Sequence, residues 1–152
     1  RCRMISSRIL HSGLVTRIAK TGLTEERGIL GPTRESNSVV DRSFSVVFGG
    51  DSIADERFRA DETLAVWQAW SVTLAHKTRI KDTTRQAYEQ VLDDRDAVRR
   101  IVLREFDDAI RSVQHLIVYD GTAGSVLAGG GDYILTTLKW RVLQHLDLSV
   151  TS

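Results

Sequence analysis

One cysteine, one proline and one methionine are spread over 152 residues. A lone Cys2 excludes an internal disulfide, a CxxC redox pair and any zinc site built on two thiolates. No run approaches the ~18 consecutive apolar residues of a membrane-spanning helix. Proline is confined to Pro32, and glycine, present eleven times, is missing between residues 51 and 120. Long uninterrupted secondary structure is therefore expected there. Carboxylates are missing from the first 24 residues, which carry Arg1, Arg3, Arg8, Arg17 and Lys20. The catalytic inventory is thin as well. No GxxxxGK[ST] is present, and no GxGxxG follows a strand pattern. Nor does any Glu-x-x-His occur of the kind that builds di-metal bundles. The four histidines lie far apart, none with a second ligand three or four residues away.

What is present is a segregation of charge. The net charge of +1 combines a basic head with a mildly acidic body, since residues 44–152 hold 13 basic against 16 acidic side chains. Phosphate recognition needs Lys and Arg clustered on the fold itself, so sequence-specific nucleic-acid binding is not expected of this body. In the head, Ile5, Ile9, Leu10, Leu14 and Ile18 recur with helical spacing, interleaved with Ser6, Ser7 and Ser12. Arginine and serine without carboxylate on an amphipathic helix is the composition of an organelle-targeting peptide. Residues 1–24 are accordingly read as a basic leader or arm. Mitochondrial delivery is the first expectation, with a plastid or the cytoplasm as alternatives. Residues 4–20 also suit peripheral contact with an anionic membrane. Residues 25–43, with Gly, Pro, Ser, Asn and Thr but no period, read as a linker.

The remaining residues, 44–152, read as a small antiparallel bundle of three to four helices, mainly α. After a short apolar run at 43–48, Leu64, Trp67, Trp70 or Ser71, and Leu74 fall at three- to four-residue intervals. A second helix opens after Asp82-Thr83-Thr84, plausible N-cap residues, and places Ala87, Tyr88, Val91 and Leu92 together. Three carboxylates at Asp93-Asp94-Arg95-Asp96 suit the first turn of a new helix, where they oppose the positive end of its dipole. That helix runs on through Val98, Ile101, Val102, Phe106, Ile110, Val113 and Ile117. The glycine-rich residues 121–132 read as a loop, and Leu135, Leu138, Val142 and Leu146 mark a last helix. Trp67, Trp70 and Trp140 serve either as core filler or, because tryptophan anchors interfaces, as a contact patch for another protein.

The string Phe48-Gly49-Gly50-Asp51-Ser52-Ile53 carries the one local motif. Its Gly-Gly-Asp-Ser-Ile element resembles the attachment site of phosphopantetheinyl carrier domains of the peptide-synthetase type. That resemblance implies Ser52 as the hydroxyl that receives phosphopantetheine, at a helix N-terminus whose dipole favours the phosphodiester. Read with one extra glycine, the string also resembles the nucleophile block of GDSL-type serine esterases, which implies Ser52 as nucleophile. The Asp-x-x-His pair that esterase family carries near its C-terminus is absent here. The leading expectation is a non-enzymatic structural or interaction protein with no cofactor or metal. It would act as a small accessory subunit of a mitochondrial assembly, contacting other proteins of that complex through Trp67, Trp70 and Trp140. The carrier and esterase readings are its alternatives.

Overall fold

A computed structural model describes residues 5–26, 28–30, 38–54, 63–78, 84–104 and 109–147. In chain order they form α1 (Ser7–Ala19), β1 (Thr24–Glu25), β2 (Ser43–Ile53), β3 (Thr63–Lys77), α2 (Thr84–Arg104), a 3₁₀ helix (Arg111–Leu116), β4 (Ile117–Thr122), β5 (Val126–Ala128), a 3₁₀ turn (Gly129–Gly131) and β6 (Tyr133–Asp147). The architecture is thus mixed α and β: one six-stranded sheet with two α-helices, not the expected helical bundle. Strand order is β1-β2-β3-β6-β4, with β5 also paired to β6. All pairings are antiparallel except that of β1 with β2.

The two segments expected to be the first and last helices of the body are its longest strands. β3 and β6 pair over fifteen residues, from Thr63 opposite Asp147 to Lys77 opposite Tyr133. Period two is what the packing follows. Val66, Gln68, Trp70, Val72 and Leu74 are buried on one face of β3, and Leu138, Trp140, Val142 and Gln144 on the same face of β6. Valine, threonine and tryptophan fit a pleated surface better than a helix. The spacing of Leu64, Trp67, Trp70 and Leu74 mixes residues from both faces, so its match to a helical period was coincidental.

α2 is continuous from Thr84 to Arg104, so the acidic run at residues 93–96 lies in mid-helix and starts nothing new. Its apolar stripe, Ala87, Val91, Val98 and Val102, is buried. The helix expected to continue through Ile117 instead stops, and Ile117 opens β4. Asp82, Thr83 and residues 105–108 lie outside the described residues, as do Cys2 and Pro32. Within the expected loop at 121–132, β5 pairs Val126 with Leu135 and Ala128 with Tyr133.

α1 shares the core of the body. Ser6 caps it, its Oγ accepting from the Ile9 N–H at 3.2 Å. Leu10, Leu14 and Ile18 then pack with Val98 and Val102 of α2 and with Phe44, Trp70, Leu74, Leu138 and Trp140 of the sheet. The apolar face that would enter a membrane surface therefore faces the sheet. Arg17 is also fully buried. Its guanidinium donates to the Val102 carbonyl and, at 2.9 Å, to Gln114 Oε1, while Gln114 Nε2 donates to the Leu103 carbonyl at 2.9 Å. Arg17 and Gln114 thus satisfy carbonyls in the last turn of α2, where a cation also meets the negative end of the dipole. Among the described residues, no helix is long and apolar enough to cross a membrane.

α1 approaches residue 110 closely because position 13 has no side chain. A Cβ there would lie 2.6 Å from Ile110 Cγ2. Gly13→Ala should lower stability by about 1–3 kcal/mol, the usual cost of overpacking. Thermal unfolding of Gly13→Ala, Ile110→Ala and the double variant checks the origin. Ile110→Ala should cost less in the Gly13→Ala background than alone, as contacting residues couple.

Candidate functional site

Four strands contribute one aromatic residue each to a single row. Phe48 of β2 stands opposite Trp70 of β3, Trp70 opposite Trp140 of β6, and Trp140 opposite Tyr119 of β4. Directly paired residues project to the same face, so the four rings line the inner, helix-covered side of the sheet. Ring centroids are 5.3 Å apart for Phe48 and Trp70 and 5.4 Å for Tyr119 and Trp140, both pairs tilted. His11 of α1 adds a fifth ring, 6.0 Å from Trp70, and its Nε2 lies 3.3 Å from the Val46 carbonyl. Register irregularities follow at once on both outer strands, between Phe48 and Gly50 and between Tyr119 and Gly121. A bulge bends its strand and increases local twist, and on both strands the irregularity comes directly after the row.

Beside the row the inner face turns polar. Gln68 is one same-face step from Trp70, and Gln144 stands opposite Val66, diagonal to Gln68. Gln68 Nε2 donates to Ser7 Oγ at 3.1 Å, and Gln144 Nε2 to the Ile5 carbonyl at 3.3 Å. The other polar atoms of this group have no partner among the described residues: Gln68 Oε1, Gln144 Oε1, and the indole Nε1 of both Trp70 and Trp140. All four side chains are at least 94% buried. An unsatisfied buried donor or acceptor costs about 1–3 kcal/mol, so four on one face are a concentrated expense for a small domain.

A second polar cluster lies at the far end of β3. His76 is buried, and its Nε2 lies 2.7 Å from Asp94 Oδ2 of α2. Arg42 grips the same carboxylate from the start of β2, Nε to Oδ2 at 3.0 Å and a terminal nitrogen to Oδ1 at 2.9 Å. Gln90 adds a third donor at 3.1 Å. Burial works to raise the Asp94 pKa, but the hydrogen bonds from His76 and Arg42 outweigh it and hold the group at about 2, below its ordinary 3.8. The hydrogen bond to Asp94 in turn raises the Arg42 pKa against its own desolvation. An ionised carboxylate only accepts, so His76 donates to it through Nε2, and its Nδ1 has no partner among the described residues. A carboxylate-backed imidazole is the arrangement of a general base. Here it is 1% exposed, and what it does in this conformation is tie three segments together. Arg42 is the one non-glycine among the described residues with a left-handed backbone, φ 52°. Such a conformation costs about 1–3 kcal/mol and persists where the surroundings over-determine it. The fork onto Asp94 supplies that constraint, helped by Asp41 Oδ1, which accepts from the Lys77 N–H at 2.8 Å.

The residues singled out from sequence divide between the two faces. Trp70 and Trp140 sit side by side in the core, 3% and 1% exposed, and are not surface contacts. Ser52 and Trp67 stand opposite one another on the outer face, with Leu143 next in that row. Trp67 is half-buried under Arg141, whose guanidinium is 4.7 Å from the ring centroid and also paired with Asp120 at 2.7 Å. Ser52 is exposed on a strand and opens no helix, so the dipole argument for a phosphodiester does not reach it. Nor does the Gly129–Gly131 turn lead into a helix that would receive a phosphate; it leads into β6. Among the described residues no three His, Cys, Asp or Glu side chains gather to hold a metal ion. Sequence reasoning passed over Gln68, Gln144 and Tyr119, and took Phe48 only as the start of the Gly-Gly-Asp-Ser-Ile string and His11 only as one of four scattered histidines. Apolar and polar residues alternate from Leu138 to Val142, which signals a strand, but Leu143 and Gln144 break that alternation, so it gave no sign of Gln144.

No family model matches this chain. It is similar to the NAD-dependent protein deacetylase sirtuin-7 of Rattus norvegicus and of Mus musculus, 37% identical in each case over 71 residues. The likeness covers 47% of this chain and 17% of those proteins, so the chain spans about a sixth of the length of the curated relatives it matches.

Asp94 gives this region a definite pH dependence. Because its folded pKa is depressed, its stabilising contribution is present above pH 3.8 and is lost as pH falls through about 2. Urea midpoints measured from pH 5 down to pH 2 should fall across that window. Asp94→Asn should start lower at pH 5 and show a flatter decline.

Proposed function

We propose that this protein is a non-enzymatic interaction protein, an accessory subunit of a larger assembly. The supporting observation is the edge of the sheet formed by β4 and β5. Both strands pair with β6 on one side, and among the described residues no strand pairs with their other side. Val118, Val126 and Leu127 there are 37%, 57% and 61% exposed. An unpaired edge offers backbone donors and acceptors to another chain, and exposed apolar side chains beside it add the burial a stable contact needs. This replaces the tryptophans as the contact surface, since two of them lie in the core. Mitochondrial delivery, inferred from the basic head, remains part of the proposal. α1 then has to be retained after import, because it supplies the core with Leu10, Leu14 and Ile18.

Size-exclusion chromatography of native extracts, comparing wild type with Leu127→Lys, tests this reading. The wild-type chain should elute in a high-mass species and the variant as a single chain, with unchanged circular dichroism because Leu127 is exposed. A wild-type chain that already elutes alone, or a variant that stays in the high-mass species, overturns it.

A second reading is favoured by the 71-residue likeness to NAD-dependent deacetylases: that the chain binds a nicotinamide adenine dinucleotide. Calorimetric titration of the full chain with NAD should then give a saturable signal, and none if the likeness carries no binding.

A further inference from the structure

We infer that the exposed face of α2 near its C-terminus docks an acidic protein segment that carries a bulky apolar side chain beside its carboxylates. This goes beyond the interaction proposed above and uses a helix face instead of the sheet edge. The helix is polarised in charge along its length. Residues 84–94 hold Arg85 against Glu89, Asp93 and Asp94, whereas residues 95–104 hold Arg95, Arg99, Arg100 and Arg104 against Asp96. Arg100 and Arg104 are exposed and stand one turn apart on the same face. Neither has an ion-pair partner among the described residues. Like charges four apart on a helix repel, and an anion held between them removes that repulsion.

Arg100 and Arg104 both line two surface hollows, which differ in character. One, of about 250 Å³, is lined by Asp96, Arg99, Arg100, Leu103 and Arg104, so three guanidinium groups share a common space. The other, of about 290 Å³, is lined by Thr21, Ala97, Arg100, Ile101 and Arg104, between α2 and the turn after α1. Ala97, Ile101 and the aliphatic stems of the arginines suit an apolar side chain there. Asp96 narrows the choice of guest. Its Oδ1 accepts from Arg95 at 2.9 and 3.1 Å and from Arg99 at 3.2 Å, while no group among the described residues donates to Oδ2. The hydrogen bond from Arg95, with the charges of Arg95, Arg99 and Arg100, holds this carboxyl below its ordinary pKa. A peptide brings carboxylates for the arginines and a backbone N–H for Asp96. A nucleic-acid backbone or an anionic membrane would set its phosphates against that carboxylate instead.

Fluorescence anisotropy with the full chain tests the assignment. The probe is a labelled hexapeptide with a pair of aspartates on each side of a central phenylalanine and leucine. Binding should saturate at low ionic strength and weaken as salt rises. Arg100→Glu/Arg104→Glu should lower affinity about tenfold, with unchanged circular dichroism because both side chains are exposed. Replacing the aspartates of the peptide by asparagine should also cost about tenfold, and replacing its phenylalanine and leucine by alanine about fivefold. These wild-type comparisons stand even if the variant does not fold. Equal binding of the alanine peptide would leave only unselective attraction between charges and overturn the assignment. So would binding that the charge reversal leaves unchanged, or no saturation up to about 1 mM peptide. Tighter binding of a thymidine oligonucleotide, or of phosphatidylserine-containing vesicles, would assign the face to those partners and overturn it too. Leu127→Lys should bind the peptide like wild type, so failure at the sheet edge and failure at this site are separable.

Discussion

The fifteen-residue antiparallel pairing of β3 with β6 is the constraint from which the rest of the structure follows. It sets Trp70 against Trp140 and assigns alternate side chains to a helix-covered face and an outer face. A one-residue slip between these strands would turn every one of those side chains to the wrong side. The pairing is defended by burial: Val66, Val72, Leu74, Leu138 and Val142 lie inside only in this register. It also leaves β6 with a second edge, to which β4 and β5 add in succession. That β4 and β5 form an edge with no further strand among the described residues is a consequence of that order.

The helices are held to the sheet by two different devices. α1 meets it through apolar packing and is joined to α2 by Arg17, which donates to the Val102 carbonyl in the last turn of that helix. α2 is tied at its middle by Asp94, shared among His76, Arg42 and Gln90. Removing one partner from a buried ion pair leaves an uncompensated charge, which is more costly than never having built the pair. Asp94 therefore links the stability of the β2 entrance, the end of β3 and α2. The left-handed turn at Arg42 persists because that shared carboxylate fixes its side chain.

The inner face shows the opposite economy. There the chain leaves two indole donors and two amide acceptors without partners among the described residues while packing aromatics around them. A core of apolar side chains of similar volume would avoid that cost. Such local departures from a fully satisfied interior are where binding sites are found.

Several elements were readable from residues alone. The helical spacing of Leu10, Leu14 and Ile18 marks α1, the pairs Ala87 and Val91 and Val98 and Val102 mark helix on either side of the acidic run, though as two helices and not the single α2, and the apolar run from Ser43 marks the start of β2. Local chemistry determines these, through one-sided hydrophobicity. β3 and β6 were not read correctly, because strands with large residues on both faces also satisfy a three- to four-residue spacing, and pairing partners seventy residues apart leave no local mark. Only tertiary structure decided that α1 belongs to the core, that Asp94 faces His76, and that four aromatics from four strands form one row. Each of these depends on strand register and on how helices sit across a sheet, and those are properties of long-range contacts that no short window of sequence contains.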